Sequence, residues 1–139
     1  MIAEKPTAEQ LQRIQDTFPG ADLTALDNAG ANEVVRILDI LGDLGVEGQL
    51  LFGSIIPYAV AFQRWKKASD DVNALERDYV VGANSFMQTH PALQNQQKYF
   101  NILRSAQRQL LVDVGSIDLD SGGKKDGLED HLNSRGKDD

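Results

Sequence analysis

The chain contains no cysteine, which excludes a disulfide framework, a thiolate metal site and a thiol nucleophile. Histidine is nearly as scarce. His90 stands beside a proline and His131 in a polar C-terminal stretch, neither with a serine or carboxylate at the spacing of a catalytic motif. No glycine-rich phosphate loop with its lysine occurs, so ATP hydrolysis by the chain itself is not expected. These absences describe a non-enzyme with no metal site and no cofactor. Long apolar runs are missing too: the longest, Leu50 to Phe62, is too short to cross a bilayer and contains Pro57. It reads as a buried helix, and no membrane partner is expected. Met1-Ile2-Ala3-Glu4-Lys5 lacks the basic-then-apolar order of a signal peptide. Nothing in the composition calls for an oxidising compartment, so a cytosolic location fits.

What is present suffices for one compact domain: 139 residues, 41% of them hydrophobic, can bury a real core. The formal charge of −7 argues against bulk attraction to nucleic acid, but its distribution is uneven. Up to Asp78 there are thirteen acids against seven bases; from Tyr79 to Val112 there are Lys98, Arg104 and Arg108 and no acid; from Asp113 onward there are eight acids against four bases. A cationic segment therefore sits between two acidic ones. The expected organisation is a helical domain over residues 1–115 and a flexible acidic tail over residues 116–139.

Local patterns fill in the elements. Thr7 followed by Gln10 is a capping-box pattern, and Leu11, Ile14 and Phe18 have helical spacing, so a first helix is expected from about Thr7 to Thr17, stopped by Pro19-Gly20. Asp22 is expected to cap one short turn, and Asn28-Ala29-Gly30 reads as a break. Asn32 then caps a helix through Leu44, with Val34, Val35, Leu38 and Leu41 on one face and Gly45 at its end. The longest helical candidate is Glu47 to Glu76, kinked where Pro57 removes a hydrogen bond. Tyr79-Val80-Val81 and Phe86 to Thr89 flank Gly82-Ala83-Asn84 as a small hairpin. His90-Pro91 opens a last long helix that ends at Gly115. The expected fold is all-α with a small β-hairpin and a disordered C-terminal tail.

Several side-chain groups carry chemical meaning. Leu51, Ile55, Tyr58, Phe62 and Trp65 fall near a three-four repeat, the mark of a core seam or a subunit seam. The stretch before Pro57 is apolar on every side, more than a chain this small can cover, and this points to a homo-oligomer. Arg64, Lys66 and Lys67 surround Trp65 as a basic cluster with an aromatic in it, fit for phosphates. The alternative is a solvated face in which Lys66 pairs with Asp70 and Lys67 with Asp71. Arg104 and Arg108, four apart and without acids on their own helix, can meet phosphates or the carboxylates of a neighbouring subunit. A helix-turn-helix reading of the three N-terminal helices is opposed by charge, because the third offers Arg36 against Glu33, Asp39 and Asp43. Residues Asp118 to Glu129 partly follow a calcium loop, but Gly122 supplies no ligand, Lys125 replaces the apolar anchor, and a solvated acidic tail is preferred.

The order of elements from Leu41 to Gly115, with His90-Pro91-Ala92-Leu93 following Val80-Val81-Gly82-Ala83-Asn84 and preceding Phe100, Leu103 and Leu110, resembles the small terminase subunits of tailed bacteriophages that package cohesive-end genomes. The resemblance implies a mainly helical protein that assembles into a homo-oligomeric ring in the host cytoplasm. It implies recognition of viral double-stranded DNA and delivery of that DNA to a large terminase subunit carrying the ATPase and nuclease. On this reading Arg64, Lys66, Lys67, Arg104 and Arg108 are the candidate DNA contacts. Leu51, Ile55, Tyr58, Phe62 and Trp65 form the oligomer interface. By family analogy the C-terminal tail, with Lys124 and Lys125, meets the large subunit. A helical homo-oligomeric assembly protein with protein partners only is the alternative.

Overall fold

Thr7 and Gln10 close the first helix reciprocally: the Thr7 hydroxyl accepts from the Gln10 amide at 3.1 Å and the Gln10 side chain accepts from the Thr7 amide at 2.9 Å. The helix that follows, α1, spans Ala8–Thr17. The computed structural model describes residues 4–75, 79–81, 87–117 and 124–133, and over these the protein is mostly helical. Ile14, with Phe18 just beyond the helix, turns inward toward α2 (Asn28–Asp43), and on the surface Arg13 bridges to Asp39 at 2.7 Å.

Helix α2 starts five residues earlier than expected, being capped ahead of Asn32. Its N-cap is Asp27, whose carboxylate accepts from the Gly30 amide at 2.8 Å. Gly30 is not a break. It lies inside the helix where α3 passes close by, and a Cβ there would run into the Gln63 side chain and the Ala59 carbonyl. At the other end Gly45, with φ at 76°, stops α2 as expected. The Val46 amide donates to the Leu41 carbonyl at 2.8 Å and the Gly45 amide to the Gly42 carbonyl at 3.1 Å, the paired bonds of a glycine-closed helix.

A single 3₁₀ turn, Gly48–Leu51, leads into α3 (Phe52–Asn73). The long helix is thus shorter than the expected Glu47 to Glu76, and Glu76 lies outside the described residues. Pro57 is inside α3 on an exposed side, as is Gly53, so the carbonyl left without its helical donor is open to water. Strands β1 (Tyr79–Val81) and β2 (Met87–Thr89) pair antiparallel, Tyr79 opposite Thr89 and Val81 opposite Met87; residues 82–86 lie outside the described residues. The last long helix, α4 (Pro91–Ile117), is opened by His90, whose Nδ1 accepts from the Ala92 amide at 3.0 Å. It runs through Gly115 to Ile117, so the expected stop at Gly115 is not observed. A glycine with a helical neighbour on each side lowers propensity by only about 1 kcal/mol, which packing of Leu110 and Val114 overrides.

Two contacts fix how α3 and α4 lie together. Ser54 hydrogen-bonds Asp113, and Gln96 donates to Ser69 at 3.3 Å, so the two helices run antiparallel over most of their length. Helices α2 and α3 are also antiparallel, Gly30 lying beside Gln63 and Gly48 beside Leu41. The core is one cluster drawn from all the helices and the N-terminal turns, including Ile14, Leu41, Leu51, Ile55, Tyr58, Leu110 and Val114.

Two expectations are corrected here. Residues 124–133, assigned to a flexible tail, form helix α5 (Lys124–Asn133), and its Leu128 and Leu132 are buried in the same core as the rest. A groove between α2 and α4 accepts these two leucines, four residues apart on one side of the short helix. The expected subunit seam is the second correction. Leu51, Ile55 and Tyr58 are buried within one chain, and Phe62 and Trp65 pack against that core with their rings 6.0 Å apart. Helices α2 and α4 cover the apolar face of α3, so its stripe is a core seam and not an open interface.

Candidate nucleic-acid interface

Arg64, Lys66 and Lys67 lie in the second half of α3 and all three are exposed, whereas Trp65 between them is half-buried. Helical spacing separates the three: Arg64 and Lys67 are three apart and neighbours, while Lys66 is two from Arg64 and turns to another side. Trp65 belongs to the core side with Phe62 and is not a freely presented stacking platform.

The expected neutralising pairs form in part. Lys66 reaches Asp70 at 3.9 Å, with 51% and 66% of the two side chains exposed. Such a pair is worth well under about 1 kcal/mol and screens little. Among the described residues Lys67 has no ion pair. The same holds for Arg64, Lys98, Arg104 and Arg108, none of which takes part in the Arg13–Asp39, Arg36–Glu33 and Lys66–Asp70 pairs.

On α4, Arg104 and Arg108 are exposed, one turn apart and on one side. The Arg104 guanidinium lies 5.8 Å from the Phe100 ring centroid, and Lys98 lies 5.6 Å from that of Tyr99. An aromatic beneath a cation stiffens it without neutralising it. The antiparallel register places Arg64 level with residues 101–103 and Lys67 level with residues 98–100, since Ser54 meets Asp113 and Ser69 meets Gln96. The cations of both helices thus share one stretch of the α3–α4 pair. Lys98 is the residue that motif reading left out of the site. The signal for it was the acid-free run from Tyr79 to Val112, which includes Lys98 as much as the two arginines. Lys124 and Lys125 stand in the first turn of α5, and their side chains lie outside the described residues.

The other end of the bundle carries different chemistry. A shallow open groove between the start of α3 and the end of α4 is lined by Leu50, Ser54, Gln109, Asp113 and Ser116 among others. Asp113 accepts from Ser54 through one oxygen and from Gln109 at 2.9 Å through the other. Among the described residues no histidine or lysine lines this groove, and the Ser54 hydroxyl has the Asp113 carboxylate as its partner there. No cluster of three metal-ligating side chains occurs among the described residues, and residues 118–123 of the calcium-loop pattern lie outside them. No helix among the described residues is long and apolar enough to cross a membrane.

No protein-family model, no curated protein and no solved structure matches this chain.

Proposed function

We propose that the chain is a non-catalytic DNA-packaging adaptor of the small-terminase kind. Copies of it form a ring that binds viral double-stranded DNA and hands it to a large ATPase and nuclease subunit in the host cytoplasm. The observation that carries the reading is the set of exposed, ionically unpaired cations Arg64, Lys67 and Arg104 along one stretch of the α3–α4 pair, with Arg108 one turn further along α4, in a chain of net charge −7. Lys66 joins them with its charge partly shared with Asp70. An acidic protein that keeps one stretch free of acids has a local field of opposite sign to its overall one, and phosphate responds to the local field within a Debye length. The helical fold with the sequence resemblance around His90-Pro91-Ala92-Leu93 supports the adaptor role. By the same resemblance the C-terminal segment with Lys124 and Lys125 is the contact for the large subunit.

The test is duplex binding by fluorescence anisotropy as a function of salt. Neutralising about four phosphates per chain gives a log–log slope near −3.6 and a loss of about a hundredfold in affinity between about 50 and 200 mM salt. Replacing Arg64, Lys67, Arg104 and Arg108 by glutamine should flatten that slope. Absence of binding at low salt removes DNA from the reading. A second reading, an assembly protein with protein partners only, is favoured by one observation: Leu50, Phe52 and Val112 are exposed at 62%, 40% and 56%. It predicts self-association with no duplex binding at any salt.

A further inference from the structure

We propose that the Glu129–Asp130 part of α5 is an acidic strap that screens the Arg108 end of the cationic side of α4, and that removing these two charges or undocking the helix raises affinity for polyanions. The inference rests on the DNA-binding reading and adds a regulator to the same surface. Helix α5 sits between α2 and α4. On the α2 side Gly127 stands against Leu44 and Arg36 donates to the His131 carbonyl at 2.8 Å; on the α4 side Gln107 donates to Asn133 at 3.2 Å. Leu128 and Leu132 point into the groove and are buried. Because α5 follows the end of α4 and its last residue meets Gln107, it runs back antiparallel along α4.

That direction determines where its acids fall. Glu129 is one turn before Asn133 on the same side of α5, so it lies over α4 one turn beyond Gln107, at the level of Leu111 and within about one turn of Arg108. Glu129 is half-buried and Asp130 next to it is exposed. Neither forms an ion pair within 4.0 Å of Arg104 or Arg108. The guanidiniums keep their charge and their donors, and the acids lower the potential around Arg108 from within a Debye length. A phosphate approaching this side of α4 therefore meets two carboxylates on an element attached by two leucines and a few hydrogen bonds. The strap is electrostatic and detachable.

The experiment compares full-length wild type with Glu129→Gln/Asp130→Asn for binding to a short fluorescent duplex at low salt. The expected result is about fivefold tighter binding by the variant, converging with wild type as salt rises. Glu9→Gln/Asp16→Asn changes net charge by the same amount on α1 and should alter affinity by less than about twofold. Adding Arg108→Gln to the α5 variant should cancel the gain. Leu128→Asp, which undocks the helix, should reproduce the gain and abolish amide protection in α5. Equal binding by wild type and the α5 charge variant overturns the strap while leaving DNA binding intact, and so does an equal gain from the α1 pair. If no form binds at low salt, the DNA reading falls and the strap falls with it.

Discussion

Glu33 is a carboxylate at 3% exposure in the middle of the bundle, and a charge in that position needs partners. Arg36, one turn on, approaches it at 3.1 Å and the Tyr58 hydroxyl donates to it at 3.2 Å. The same Arg36 donates to α5, so one side chain joins the buried acid to the last helix. Glu33→Ala should lower stability by about 3 kcal/mol, since it takes the carboxylate away from a half-buried guanidinium. Tyr58→Phe, which leaves Arg36 on the carboxylate, should cost about 1 to 2 kcal/mol. Urea midpoints at constant slope measure both, and equal losses would mean that the hydroxyl matters as much as the charge. Asp22 gives a pH prediction at the same scale. The backbone amide of Thr24, and then its hydroxyl, donate to the Asp22 carboxylate and hold its pKa below the usual aspartate value. A depressed folded pKa contributes stability above the unfolded value of about 4, which is lost as pH falls through the folded one. A carboxyl NMR titration should find Asp22 below that value. Thr24→Ala should raise it part of the way, because the amide donor remains.

Among the elements, α5 is the one most open to local change. Two buried leucines supply about 3 to 6 kcal/mol, and a helix of this length is not stable alone in water. Leu128→Asp should therefore abolish hydrogen-exchange protection in α5 while the midpoint of the main unfolding transition moves little, because the loss is capped by the docking energy of that helix. Loss of protection in α2 and α3 as well would make α5 part of the core cooperative unit. Much of the rest was legible from the chain. The Thr7 cap, the Gly45 stop and the start of α4 at Pro91 are each set locally, by a side chain, a missing Cβ and a ring acting on their own backbone. The beginning of α2 was not legible, since Asn28-Ala29-Gly30 has the composition of a loop and Gly30 takes its meaning from Gln63 on another helix. The docking of α5 was hidden for a similar reason: Lys124 to Asn133 shows two leucines among polar residues, and what covers them is decided by α2 and α4. The basic site was legible as residues but not as geometry. Spacing grouped Arg104 with Arg108, whereas the level shared by Arg64 and Arg104 came from Ser54 and Gln96 contacts far apart in sequence.

For the whole molecule, the burial of Leu51, Ile55 and Tyr58 changes what self-assembly must rest on. Periodicity states that a face is covered, not whether the cover comes from the same chain, and here α2 and α4 provide it. Among the described residues, Leu50, Phe52 and Val112 leave apolar surface for a second copy at the end of the bundle where Leu50 borders two open grooves, while Ile102 is exposed further along α4. Phe52 is held there edge-on by Phe18 at 5.1 Å, and Val112 lies between Gln109 and Ser116 on α4. Asp43 and Glu47 are exposed near the same end, and a second copy seated there by a different face of its own leaves its cationic stretch of α3 and α4 open to DNA. Such a contact joins two different surfaces, and contacts of that kind close into rings when the rotation permits. Light scattering should give a mass that is a multiple of 15.3 kDa. Leu50→Glu/Val112→Glu should reduce it to that of one chain without lowering the urea midpoint, because both side chains are already largely in water. Duplex affinity should then fall by about a hundredfold, as several cationic sides held together act as one multivalent ligand. A wild-type chain that scatters as a monomer at working concentrations removes the ring, and any duplex binding left is that of a single cationic helix pair.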